Sequence, residues 1–167
     1  MTVYTDADSC PRKTRDVIIR AARRTGVRAV FSANRPIPGI PDEPNFFMEV
    51  CPAGPNKADD FIVDNAVPGD LVITRDVPLA ERLVKRHITV LDDRGRLFTT
   101  ENIRYYLSMR NVTIFLAKNN AGGLRHANYG SKEKKSFAAA FDRELCRLLM
   151  AKYRENEAGI SGGTAAF

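Results

Sequence analysis

At 167 residues the chain suits one domain with a proper core, and its ordinary apolar content includes no run long enough to span a bilayer. Its net charge of +6 favours a polyanionic partner, although a basic balance alone describes many ordinary surfaces. The three cysteines (Cys10, Cys51, Cys146) are widely spaced with no C-x-x-C pair, and His87 and His126 lie far apart, which excludes a disulfide framework and a zinc site.

Thr2 to Thr5 reads as a strand. It starts so close to Met1 that no leader fits before it, which points to a cytoplasmic protein. Pro11 suits a first helical turn capped by Ser9 or Cys10. The face is Val17, Ile18, Ala21 and Ala22, and Gly26 is the stop. Val27 to Ala33 is a second strand, and four prolines and a glycine between Asn34 and Pro44 make a loop. Phe46 to Cys51 is a third strand. Asn56 caps a helix with Ala58, Phe61, Ile62 and Ala66, and Leu71 to Thr74 is a fourth, apolar strand leading to Asp76. Leu79 to Val84 forms a short helix, and Ile88 to Leu91 a fifth strand closed by the turn Asp92-Asp93-Arg94-Gly95. Thr99 caps a helix through Ile103, Tyr106 and Leu107, and another spans Val112 to Ala117. Asn119 to Gly130 is a polar, glycine-containing loop, basic from Gly123 onward. Ser131 opens a long helix with the face Phe137, Phe141, Leu145 and Leu148. The reading is one domain over 1–154 and a flexible tail over 155–167.

Apolar strands alternating with helices predict an α/β fold: a three-layer sandwich with a parallel sheet of about five strands, helices on both faces and a C-terminal helical layer. Phe46, Phe47, Phe137 and Phe141 are expected in its core.

Two of the strands end on acid. Asp6 and Asp8 crowd two like charges at the end of strand one, and Asp76 follows strand four. Ligands of open α/β sheets bind beyond the carboxyl ends of the strands, where the strand order reverses. With strand four beside strand one, Asp6, Asp8 and Asp76 converge there. Asp59 and Asp60 sit in the first turn of the middle helix, where acids are also favoured by the helix dipole. Asp59 is the better placed to face the crevice. Hard cations such as Mg²⁺ or Mn²⁺ take carboxylate oxygens and keep several waters, and such a site can activate water for phosphodiester cleavage. The plain alternative is that these aspartates are caps and turn formers. Ser9, Asn34 and Thr74 are placed to orient ligands or water. Arg12, Lys13, Arg104, Arg110 and Lys132 are candidates for holding RNA or single-stranded nucleic acid, with binding that weakens steeply in salt. Asp70 falls at the amino end of strand four, away from the site.

The string Val3-Tyr4-Thr5-Asp6-Ala7-Asp8-Ser9-Cys10-Pro11, the segment Ala58-Asp59-Asp60-x-Ile62-Val63 and the run Gly69 to Ala80 resemble the bacterial YaiI/YqxD family, which is similar to the PIN-like nucleases. The resemblance extends to about Tyr153. It implies a PIN-like fold and a metal-dependent nuclease, with Asp6 as the acid ending strand one and Asp8 its companion. Asp59 would open the middle helix, and Thr74 and Asp76 would form the Thr-x-Asp ending strand four. Asp16 matches poorly the further acid that many PIN-like domains carry after strand one.

Two other functions compete. Asp-x-Asp-Ser is also a phosphatase pattern in which Asp6 attacks phosphate, although no lysine is well placed to complete it. A nuclease fold can also serve as a non-catalytic RNA- or protein-binding module.

Overall fold

A computed structural model describes residues 1–119 and 129–161, with side chains to residue 158. Along the chain it shows β1 (Thr2–Asp6), α1 (Arg12–Thr25), β2 (Arg28–Ala33), β3 (Phe46–Val50), α2 (Lys57–Asn65) and β4 (Leu71–Ile73). There follow α3 (Val77–Val84), β5 (Thr89–Leu91), β6 (Leu97–Phe98), α4 (Ile103–Lys118) and α5 (Ser131–Ser161). The six strands form one sheet in the order β3-β2-β1-β4-β5-β6. The first five are parallel, and β6 is antiparallel to β5.

Both faces of the sheet are covered, so its central strands are apolar on both sides. Val3, Phe31, Leu71, Ile73 and Leu91 pack with Ile18 of α1 and Phe137, Phe141 and Leu145 of α5. Tyr4, Val30, Val72 and Val90 pack with Ile62 of α2, Leu79 and Leu83 of α3 and Ile103 of α4. The alternation along each strand divides these two cores. Each fully buried side chain of this size contributes about 1.5–3 kcal/mol. The C-terminal helical layer is therefore two helices on opposite faces of the sheet.

Several details differ from the sequence reading. β6 is added by the return of the chain from the turn at Asp92–Gly95, where Gly95 adopts φ 85°. A Cβ there would lie 2.7 Å from the Ser136 carbonyl oxygen, so the turn seats closely on α5. The two helices expected after Thr99 are one, α4, entered through Asn102. Asn102 Oδ1 accepts the Thr99 N–H (2.9 Å), and its own N–H donates to Thr99 Oγ1 (3.3 Å). Pro11, not Ser9 or Cys10, is the cap position of α1, and it makes no side-chain cap bond. Asn56 precedes α2 in the left-handed region (φ 60°), without a side-chain cap bond. Phe47 is no core residue: it is 40% exposed on the edge strand β3, with the Arg28 guanidinium over its ring at 4.2 Å. α5 continues past residue 155 to Ser161. Residues 120–128, which hold most of the glycine-containing loop with Arg125 and His126, and residues 162–167 of the tail lie outside the described residues. No helix among the described residues is long and apolar enough to cross a membrane.

Candidate functional site

Strand order decides which acids meet. From β1 the chain winds outward through β2 and β3, then returns to place β4 on the other side of β1. The crevice at that reversal opens beyond the carboxyl ends of β1 and β4. Asp6, Asp8, Asp59 and Asp76 line one cavity there, of about 280 Å³, with Ser9, Asn34, Asn56 and Ala58. None of these lining residues is cationic.

Asp6 is the deepest of the four, 5% exposed. Two hydroxyls donate to its Oδ2: Ser9 Oγ at 2.6 Å and Thr74 Oγ1 at 2.9 Å. The Ser9 hydroxyl thus serves Asp6, and the cap position of α1 falls to Pro11. Thr74 Oγ1 in turn accepts the Asp76 N–H at 3.0 Å. Asp76 caps α3: its Oδ1 accepts the Leu79 N–H at 2.8 Å, with Pro78 in the first turn. Asp8 Oδ2 accepts the Asn34 N–H at 2.8 Å, which ties the β1 turn to the end of β2. Asp59 enters from the first turn of α2.

Burial, and to a lesser degree like charge, shows in the acidities of two of these acids. Burial pushes the Asp59 carboxyl up to about 6, and the neighbouring charges of Asp6 and Asp76 push the same way. Burial also raises Asp6, opposed by its bonds from Ser9 and Thr74. Two of the four carboxyls, Asp6 and Asp59, are thus held back from ionising, a strain that a proton or a cation relieves.

The other predicted residues lie as follows. Asp60 turns to α3, where its Oδ1 accepts from Arg82 at 2.8 Å, so it does not line the cavity. Arg12 and Lys13 are exposed in the first turn of α1, directly after the β1 turn. Lys132 is exposed in the first turn of α5. The start of α5 is held beside that of α1 by the Thr14 hydroxyl, which donates to Tyr129 at 2.6 Å. Arg104 and Arg110 are on α4, entered from the edge strand β6 and packed on α3. They make no part of the cavity wall.

One acid was passed over as a turn former. Asp93 follows β5, is 3% exposed, and is raised by burial. Its ion pair is a 3.5 Å contact with Arg75, whose own N–H reaches Ser9 Oγ at 3.4 Å. β5, like β4, is an apolar run followed by acid, but Asp93 does not line the cavity. The turn itself is made by Asp92, which accepts the N–H groups of Arg94 and Arg96 at 2.9 and 2.8 Å.

A family model described as "Uncharacterized BCR, YaiI/YqxD family" matches residues 4–147. The chain belongs to the YaiI/YqxD family. A UPF0178 protein of Ectopseudomonas mendocina is 42% identical over 151 residues, covering 89% of this chain and 99% of its own length. One from Syntrophobacter fumaroxidans is 42% identical over 149 residues, 88% of this chain and 95% of its own. One from Treponema pallidum is 41% identical over 160 residues, 95% of this chain and 90% of its own. No solved structure matches the chain. The YaiI/YqxD match ends within α5 and spans every acid of the cavity.

Proposed function

We propose that this YaiI/YqxD protein is a Mg²⁺- or Mn²⁺-dependent hydrolase of phosphodiester bonds in RNA or single-stranded nucleic acid. The observation that carries the reading is the meeting of Asp6, Asp8, Asp59 and Asp76 in one cavity at the strand-order reversal, with no cation in its wall. The similarity of the family to PIN-like nucleases adds the substrate class.

The donor set suits a hard cation. Among the described residues, no three His, Cys, Asp or Glu side chains stand close enough to hold one ion together. The acids are thus an open wall rather than a closed cage. Mg²⁺ or Mn²⁺ needs no such cage, because it binds through one or two carboxylates and completes its shell with water and substrate phosphate. When bound, such an ion would neutralise phosphate charge and make water a better nucleophile. Asp6, with Ser9 and Thr74 fixing its orientation, and Asp76, fixed by the α3 cap, would hold it, with Asp8 beside them. Asp59, ionised above about pH 6, would accept the proton of the water that attacks phosphorus, and the leaving sugar oxygen would take a proton from solvent as its bond to phosphorus breaks. Arg12, Lys13 and Lys132 would receive the flanking backbone phosphates. The phosphatase reading gains nothing from the geometry, because no lysine lines the cavity.

The test is cleavage of an end-labelled single-stranded RNA. Cleavage is expected to require Mn²⁺ or Mg²⁺ and to fall at least about 100-fold in Asp6→Asn, the scale of losing a group that acts on the reacting atoms. Absence of cleavage by the wild type, or cleavage undiminished in Asp6→Asn, would overturn the reading. Salt-sensitive RNA binding without cleavage that survives Asp76→Asn would mark a binding module instead.

A further inference from the structure

Asp6 has a neighbour on each side in the sheet. Ser32 of β2 is its register partner on one side. On the other, the register that pairs Thr5 with Ile73 carries on to place Thr74 beside it. Phe31, Ala33 and Ile73 face the α1 and α5 core, whereas Tyr4, Val30 and Val72 face α2 and α3. Side chains alternate along a strand, so Asp6, Ser32 and Thr74 all point to the α2 face, where the cavity lies. Asp6 is thus flanked by two hydroxyls in one row.

The two hydroxyls differ. Thr74 Oγ1 donates to Asp6 Oδ2. Ser32 Oγ is enclosed and has no hydrogen-bond partner among the described residues. Asp6 is correspondingly lopsided. Its Oδ2 takes both Ser9 and Thr74, while its Oδ1 receives only the long 3.4 Å contact from the Ser9 N–H. An enclosed hydroxyl without a partner weakens a fold, and alanine would fill almost the same space without that cost. One other buried hydroxyl among the described residues is unpaired, Thr5 Oγ1, but it points to the opposite face, away from the cavity.

We propose that Ser32 is a positioning residue of the cavity, whose hydroxyl donates to Asp6 Oδ1 when that carboxylate holds a divalent cation. Adjacent strands lie about 4.8 Å apart, a span that rotation of the Ser32 side chain bridges. A charged carboxylate beside a cation keeps its orientation only if its oxygens are held from the protein side. Thr74 holds one in the resting molecule, and Ser32 is the unspent donor for the other. The inference rests on the reading of the cavity as a cation site and adds a residue to it that does not line the wall.

The test separates the two hydroxyls by melting temperature without metal and by Mn²⁺ affinity from calorimetry. Ser32→Ala is expected to melt at or above the wild-type temperature and to bind Mn²⁺ about tenfold more weakly, the scale of one charge-assisted hydrogen bond. Thr74→Ala is expected to lose on both counts, because its bond already exists in the resting fold. Thr5→Ala, which removes the other unpaired hydroxyl, is expected to keep wild-type Mn²⁺ affinity. A metal-free Ser32→Ala that melts several degrees lower, or that binds Mn²⁺ within twofold of wild type, would overturn the proposal while leaving the cation site standing. Failure of the wild type itself to bind Mn²⁺ would overturn both.

Discussion

The two ends of the sheet each bury an aspartate beside β1, and they use it in opposite ways. Asp70, 4% exposed at the amino end, gives both oxygens to backbone donors: Oδ1 to the Thr2 N–H at 2.6 Å and Oδ2 to the Val67 N–H at 3.1 Å. It clips the start of β1 to the turn before β4, and its charge is answered by the groups that fold the chain. Asp6, 5% exposed at the carboxyl end, is held by two side-chain hydroxyls and shares its cavity with three more carboxylates. Depth and residue type are the same. What differs is the company: fixed backbone donors at one end, and like charges around an open space at the other. A buried acid surrounded by acids is the one that points to a ligand.

The comparison breaks most visibly in Asp70→Asn. The amide would set an NH₂ against one of two backbone N–H groups. The expected loss is about 2–4 kcal/mol, near the upper range for an unsatisfied buried group with a charged partner lost. That lowers the melting temperature by roughly 5–15 °C for a chain of this size. Asp6→Asn, at the same depth, is expected to melt within about 2 °C of wild type or above it, because it removes a charge from a repelling cluster. Thermal denaturation without divalent ions compares the two. Equal losses at the two positions would erase the distinction.

A smaller effect sharpens the comparison through pH. The folded-state carboxyl of Asp59 is raised to about 6, and Asp6 is raised too, so the folded chain holds protons that the unfolded chain has released. Stability then falls as pH rises from about 4, where an unfolded aspartate ionises, to about 6, where Asp59 ionises in the fold. Asp59 is partly solvated, so the decline is modest. Melting temperatures across this range are expected to drop in the wild type and to drop less in Asp59→Asn, and Mn²⁺ is expected to restore stability above pH 6. A melting temperature that rises through the same window in the metal-free wild type would contradict the raised acidities of Asp59 and Asp6.

Much of this contrast was legible in the sequence, for a physical reason. Buried parallel strands are apolar runs, so an acid that closes one stands out. Asp6, Asp8 and Asp76 were found that way, and Asp70 was set aside because it precedes its strand. Asp59 was preferred to its neighbour Asp60, and only the phase of α2 decides which of the two faces the crevice. What escaped depended on position across the sheet rather than on composition. Phe47 has the chemistry of a core residue and is exposed because β3 is an edge strand, which strand order alone reveals. The two-residue β6 carries no periodicity, yet by turning the chain back it sends Arg104 and Arg110 to a helix outside the cavity wall. Ser9 has the chemistry of a cap, but its hydroxyl donates to Asp6 and accepts the Arg75 N–H, while Pro11 takes the cap position of α1. Ser32 carries no sequence signal at all, because an isolated serine within a buried strand gains meaning only from the register that sets it beside Asp6.

Calorimetric titration of Mn²⁺ into wild type, Asp6→Asn and Asp70→Asn, each below its melting temperature, tests the central claim most directly. The account predicts saturable binding at millimolar concentration or tighter by the wild type and by Asp70→Asn, and its loss in Asp6→Asn. No binding by the wild type, or binding by Asp6→Asn as tight as the wild type's, would contradict it.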